Sequence, residues 1–204
     1  MTLARAGHWD KPSYVVLDID PPSGGEFGHA VAAALLVRQA LAEVGLAGAV
    51  KTSGAKGLHV YVPISASGDD AAAATRAIAA RAEKLDPGLA TTAFVRDERE
   101  GKVFLDSTRS HGATVAAAYS PRARPGTPVS FPVRWEDLES VTPRDFTVLT
   151  APALLGGHEA WAGQMPGPQA LSASLVQEGR DIPLARVQAM HEGKRRARAR
   201  RSES

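Results

Sequence analysis

At 204 residues, 44% of them apolar, the chain is long enough to fold around a substantial core and too hydrophobic to be a disordered protein. It has no cysteine, which excludes disulfides and thiolate metal sites. It also lacks a run of about 18 apolar residues and a basic-then-apolar leader, so it reads as soluble and intracellular, with no membrane partner.

The net charge of +2 is unevenly placed. Residues 191–204 hold six Lys/Arg against two Glu, leaving the body at −2, so the basicity is mostly a C-terminal tail. The segment from Gly193 to Arg201 can grip phosphates without sequence preference or stand as a solvated terminus.

In chain order, Tyr14 to Ile19 is predicted as a strand running into Asp20 and the Pro21-Pro22-Ser23-Gly24-Gly25 turn. Val31, Ala34, Leu35, Leu41 and Val44 repeat at helical spacing and predict a helix over Phe27 to Val44, capped by Gly45. Strands follow at Ala49 to Thr52 and Leu58 to Ile64, then a second helix N-capped by Asp69 or Asp70 and stopped by Pro87-Gly88 after Leu85. Val103 to Asp106 reads as a strand, with Val115 to Tyr119 as its partner across Ser110-His111-Gly112. Val129 to Val133 reads as another strand, Trp135 to Leu138 as a helical turn, and Leu171 to Val176 as a last helix.

The chemistry starts at Asp18 and Asp20. Side chains alternate along a strand, so these two carboxylates share a face and invite one divalent cation. Ser53-Gly54-Ala55-Lys56-Gly57-Leu58-His59 supplies a hydroxyl, a Lys, an imidazole and two glycines on a strand-to-strand turn that can face an anion. It is not a Walker loop, because Val50 occupies an obligatory Gly position. Asp106 is a third acid at a strand end, among Arg96, Arg99, Lys102, Arg109, Arg122 and Arg124. Three carboxylates with a ring of cations suit phosphoryl or nucleotidyl transfer. Two other metal motifs fail: Ala162 replaces the second His of HExxH after His158-Glu159, and Ser23 replaces the Gly of an EF-hand loop.

Together these segments resemble the polymerase domain of bacterial ligase D, a member of the archaeo-eukaryotic primase superfamily. The likeness lies in Leu17 to Pro21, Lys51 to Pro63, Val103 to Asp106, Tyr119 to Gly126, Pro128 to Ser130 and Trp135 to Leu138, in order from about Lys11 to Trp161. It implies an α/β (α+β) fold with a primase-type core, an RRM-like, mainly antiparallel sheet covered by helices. It implies Asp18, Asp20 and Asp106 as catalytic ligands of Mn²⁺ or Mg²⁺, and Ser53, Lys56, Gly57 and His59 around the triphosphate. Arg99, Arg109 and Arg122 would be further nucleotide contacts, with Arg96 and Arg124 near them. The expected partners are NTP or dNTP, DNA ends or gapped duplex, and the ligase and Ku-like proteins of end joining, in the cytoplasm at the nucleoid.

The expected division is a catalytic core over 1–165, short of the family's N-terminal module, and a C-terminal helix and basic tail over 166–204. Ser107 and Ser110 stand where the family has an aromatic residue and an Asn. The leading expectation is a DNA-repair primase-polymerase of non-homologous end joining. The alternatives are a non-catalytic DNA-end-binding or accessory module, and a haloacid-dehalogenase-like phosphatase with Asp18 as nucleophile and Asp20 as acid/base.

Overall fold

The computed structural model describes residues 11–110, 115–155, 161 and 163–184. The basic tail, His158-Glu159 and the turn at His111-Gly112 lie outside the described residues.

Six strands form one sheet: β1 (Tyr14–Asp20), β2 (Ala49–Thr52), β3 (Leu58–Pro63), β4 (Ala90–Thr91), β5 (Val103–Asp106) and β6 (Pro132–Val133). Their order is β4-β5-β1-β3-β2-β6, antiparallel throughout except for the parallel β4–β5 pair. The fold is therefore mixed α/β with a mainly antiparallel sheet, as expected. Its edge strand β6 begins with proline, which has no N–H to give a ladder.

Alternation along β1 divides its residues between the two faces. Val15, Leu17 and Ile19 turn into the main core under the helices α1 (Phe27–Glu43) and α2 (Gly68–Leu85). On the other face Val16 packs with Tyr61 and Val115 in a small second cluster edged by Tyr14, Trp161 and Met165. That second face grades from aromatic into charged toward the C-terminal end of β1, and this gradient positions the site.

Both helices bury small residues. Ala30, Ala33, Ala34 and Ala40 of α1 are fully buried beside Val37 and Leu41. The helix closes as expected with Gly45 at a φ of 71°, its N–H donating to the Ala42 carbonyl while the Leu46 N–H donates to that of Leu41. This is the paired bonding of a Schellman ending, for which glycine is the residue of choice. The N-cap of α2 is Ser67, not Asp69 or Asp70: its hydroxyl accepts from the Asp70 N–H at 3.2 Å. The two acids instead occupy the first turn, where they face the helix dipole.

Alanines on α2 also let α4 (Ala173–Asp181) approach closely. A Cβ on Gly179 would overlap the Ala73 carbonyl oxygen, so glycine is what this contact tolerates. Arg81 adds a two-pronged bond to the Glu178 carboxylate, at 2.9 and 2.7 Å. The last helix begins two residues after the expected Leu171 and extends to Asp181, past the expected Val176, with Ser172 as its N-cap.

Two expected strands differ. Val115 to Tyr119 forms no strand: Tyr119 has a φ of 62°, and its N–H donates to the Ser130 carbonyl as the chain turns. Val129 to Val133 contributes only β6, because the Phe131 N–H donates to the Thr52 hydroxyl instead of a backbone carbonyl. Trp135 to Leu138 is helical as expected, as a 3₁₀ segment reaching Ser140. The short helix α3 (Ala151–Leu155) was not anticipated. Among the described residues, no helix is long and apolar enough to cross a membrane.

The α2–α4 contact makes a sharp prediction. Gly179→Ala should lower unfolding stability by about 1–3 kcal/mol despite alanine's better helix propensity, read as a lower urea midpoint at unchanged slope.

Candidate active site

Pairing across the sheet assembles the centre. Asp18 lies opposite Asp106 on β5 and opposite His59 on β3, so three titratable side chains sit side by side on the face of the sheet opposite the main core. Asp20 is two residues along β1 on the same face, at the sheet's end.

The centre carries a built-in cation. Arg109 Nε lies 3.1 Å from Asp18 Oδ2 and 3.0 Å from Asp106 Oδ2, and its Nη2 lies 3.0 Å from the same Asp18 oxygen. A short local structure sets that aim. Asp106 Oδ1 accepts from the Thr108 N–H at 2.8 Å and from its hydroxyl at 2.6 Å, which starts the Thr108–Ser110 3₁₀ turn carrying Arg109. His59 Nε2 lies 3.5 Å from Asp18 Oδ1.

Burial raises the Asp18 carboxyl to about 6, with Asp106 and Asp20 adding to the rise against the opposing pull of Arg109. His59 is held well below its ordinary value by burial and by the positive charges of Lys51, Arg109 and Arg122, so its ring is neutral at pH 7.

The glycine loop approaches from the β2–β3 turn. Lys56 Nζ is 3.2 Å from Asp20 Oδ1 and also donates to the Pro21 carbonyl, with both charged side chains more than a third exposed. The Ser53 hydroxyl accepts from the N–H groups of Ala55 and Gly57, each at 3.2 Å, so it shapes the loop from within. Gly57 passes so close to β1 that a Cβ would overlap the Ile19 carbonyl oxygen. Arg122 donates to the Ser53 carbonyl at 3.3 Å, behind the loop.

Other cations stand further out. Arg99 lies over the Phe104 ring at 3.6 Å and donates to the carbonyls of Ala93 and Phe94, each at 3.1 Å. Together with Arg96, Lys102 and Lys56 it lines a small cleft of about 100 Å³ that ends at Asp20. Arg124 lines a neighbouring cleft of about 490 Å³ with Arg144 and the prolines 125, 128 and 143, and Lys56 borders both clefts. The structure therefore joins Asp18, Asp106, His59 and Arg109 directly and Asp20 with Lys56 beside them. Arg99 sits at the edge, and Arg124 is outside.

Two residues of the centre escaped the sequence reading. Lys51 is fully buried, with Nζ 2.9 Å from His59 Nδ1, and burial pushes its ammonium down to about 7 while Asp18 pulls the other way. Ser130, also fully buried, bonds to that ammonium. The available signal was a lone lysine in an apolar strand, at the register position facing His59.

Among the described residues, no three acidic or histidine side chains are gathered closely enough to enclose a metal ion. The donor chemistry nevertheless fits a hard divalent cation. Two facing carboxylates with a third alongside are already balanced by a positive group, and all three offer oxygen ligands.

A family model described as LigD, primase-polymerase domain, matches residues 1–161. The chain is 34% identical over 179 residues to the multifunctional non-homologous end joining protein LigD of Pseudomonas aeruginosa, covering 84% of this chain and 21% of that protein. It is 32% identical over 145 residues to the bifunctional non-homologous end joining protein LigD of Bacillus subtilis, covering 69% of this chain and 24% of that protein. Its structure is similar to that of the polymerase domain of Mycobacterium tuberculosis ligase D in complex with DNA. The TM-score is 0.66 at 28% identity, over 85% of this chain and 57% of that one. The chain thus spans about a fifth to a quarter of these two relatives and just over half of the solved domain.

The raised Asp18 carboxyl makes one contribution to the pH dependence of the metal-free protein. The folded state keeps that proton to about pH 6 and the unfolded chain only to 3.8, so the folded state binds more protons between those values. Asp18's contribution to stability should accordingly fall as pH rises through that window, opposed by His59, whose depressed folded value adds a contribution that rises with pH below 6.5. Asp18→Asn should remove that falling contribution, so that stability rises more steeply with pH up to about 6, and should stabilise the protein at pH 7 by about 1–3 kcal/mol, measured by thermal and urea unfolding across pH.

Proposed function

The chain belongs to the LigD primase-polymerase domain family, and from that premise we propose that it adds nucleotides from NTP or dNTP to a primer 3′-hydroxyl at DNA ends or gaps. Asp18, Asp20 and Asp106 are the proposed ligands of Mn²⁺ or Mg²⁺. A divalent ion held there supplies activation of the primer hydroxyl and neutralisation of phosphate charge. The observation that supports this reading best is the register that sets Asp18 against Asp106, with the glycine loop joined to Asp20 through Lys56.

The chain's own groups then divide the work. Lys56, from a loop that Ser53 and Gly57 hold tightly to β1, offers a mobile positive charge to a phosphate at the edge of the acidic centre. Arg109 brings a planar guanidinium to the heart of the site, where a second set of oxygens can share its donors. His59 is neutral and presents Nε2 toward the same point, suited to a hydrogen bond with a phosphate oxygen. Arg99 and Arg122 complete the positive surround, with Arg96 and Lys102 extending it along the small cleft.

Residues 1–165 are the proposed catalytic core, and 166–204 the C-terminal helix and basic tail. End joining, with a ligase and Ku-like proteins as partners, is the proposed setting. Nothing in the fold favours a phosphatase.

Incorporation of a labelled nucleotide on a gapped duplex with a 5′-phosphate tests the proposal. Purified protein should extend the primer only with Mn²⁺ or Mg²⁺ present, and Asp18→Ala or Asp106→Ala should each cut the rate at least a hundredfold, about 2.7 kcal/mol of barrier. Extension that ignores both substitutions would overturn the assignment. DNA binding without any extension would favour an accessory module instead.

A further inference from the structure

Lys51 is the least exposed charged group of the site and has no role in the mechanism above. Its amine has three polar contacts: Nζ meets the Ser130 hydroxyl, His59 Nδ1 at 2.9 Å and the Thr52 carbonyl at 3.3 Å. The roles follow by elimination. Ser130 spends its own proton on the Thr52 carbonyl at 2.8 Å, so toward Lys51 it accepts. A carbonyl can only accept. Two of the three contacts therefore take hydrogens from Nζ, and an ammonium has a third for the ring nitrogen. The Tyr61 ring, 5.6 Å from Nζ, adds a face suited to positive charge.

The consequence falls on the histidine. An Nδ1 that accepts leaves the single proton of a neutral ring on Nε2, and Nε2 is the atom facing Asp18. We propose that Lys51 is a positioning residue that, as an ammonium, holds His59 in its Nε2–H tautomer and fixes its ring plane, so that a hydrogen-bond donor points into the acidic centre. Ser130 and Thr52 orient Lys51 in turn. The Thr52 hydroxyl accepts from the Phe131 N–H at 2.9 Å and donates to the Val129 carbonyl at 3.2 Å, pinning the Val129–Phe131 segment against β2. Two stretches more than seventy residues apart are thereby coupled to one imidazole nitrogen. The usefulness of that donor rests on the nucleotide-transfer reading, whereas the tautomer does not.

Long-range proton–nitrogen correlation spectra of the full, ¹⁵N-labelled, metal-free chain at about pH 6, below the point where burial strips the amine of its proton, read the tautomer directly. The expected wild-type result is an unprotonated Nδ1 and a protonated Nε2 for His59, assigned through loss of the signals in His59→Gln. Lys51→Met should shift both nitrogens toward the averaged values of exchanging tautomers, with the remaining histidines unmoved. A protonated Nδ1 in the wild type would overturn the proposal, and this needs no variant to fold. An unchanged His59 pattern in a folded Lys51→Met protein would overturn it as well.

In primer extension, Lys51→Met should lower kcat/KM for the nucleotide about tenfold to a hundredfold. Ser130→Ala, which keeps the amine, should give a smaller loss in the same direction. A wild-type protein that adds no nucleotide yet shows the Nε2–H tautomer would refute the proposed function while leaving the Lys51 assignment standing.

Discussion

The cross-strand meeting of Asp18 and Asp106 is the constraint around which the rest of this structure is arranged. Carboxylates directly opposite each other on neighbouring strands repel, and burial makes the repulsion more costly than it would be in water. The fold answers with a cation from a short turn that Asp106 itself initiates: one of its oxygens caps the Thr108 N–H and hydroxyl, while the other takes the guanidinium that the turn delivers. The acid that creates the problem thus also builds the element that offsets it.

The same constraint explains the composition of the sheet's two faces. The helix-covered face of β1 carries Val15, Leu17 and Ile19, all fully buried, and the site makes no demand on it. The opposite face cannot be closed by a helix without sealing the acids from any substrate. Among the described residues, it is covered at the N-terminal end of β1 by Tyr14, Tyr61, Trp161 and Val115, and toward the other end by the guanidinium of Arg109. The Trp161 indole donates to the Val50 carbonyl at 2.9 Å, so this cover is anchored to β2, the strand that carries Lys51.

How much of this was legible in the sequence depends on whether the signal was local. Period-2 alternation placed Asp18 and Asp20 on one face, and a glycine after an apolar helical repeat placed the ending at Gly45, because both follow from adjacent residues. Ser67 is hard to single out as the cap because two acids follow it, and acids serve equally well in the first turn. The Val115 to Tyr119 stretch has a strand's composition, yet the bond from the Tyr119 N–H to the Ser130 carbonyl and a positive φ turn it away. Lys51 and Ser130 were missed for a deeper reason. Each is an ordinary polar residue in an otherwise apolar run, and only the register, which sets Lys51 across from His59, reveals that its charge is enclosed.

That enclosure bears on why a lysine is kept there. A buried ammonium is expensive, and its ordinary affinity for protons is reduced here to about 7. An apolar residue of similar length would fill the space between β2 and the Val129–Phe131 segment at lower cost, but would leave the Ser130 hydroxyl and His59 Nδ1 facing a side chain with nothing to donate. The imidazole could then trade tautomers freely, and its Nε2 would face the Asp18 carboxylate alternately as a donor and as a bare acceptor. Two lone pairs aimed at each other beside an already repulsive acid pair would push the ring out of plane. The lysine is therefore best understood as part of the same electrostatic solution as Arg109: one cation stands between the carboxylates, and a second, one layer deeper, sets the polarity of the group that completes their surroundings.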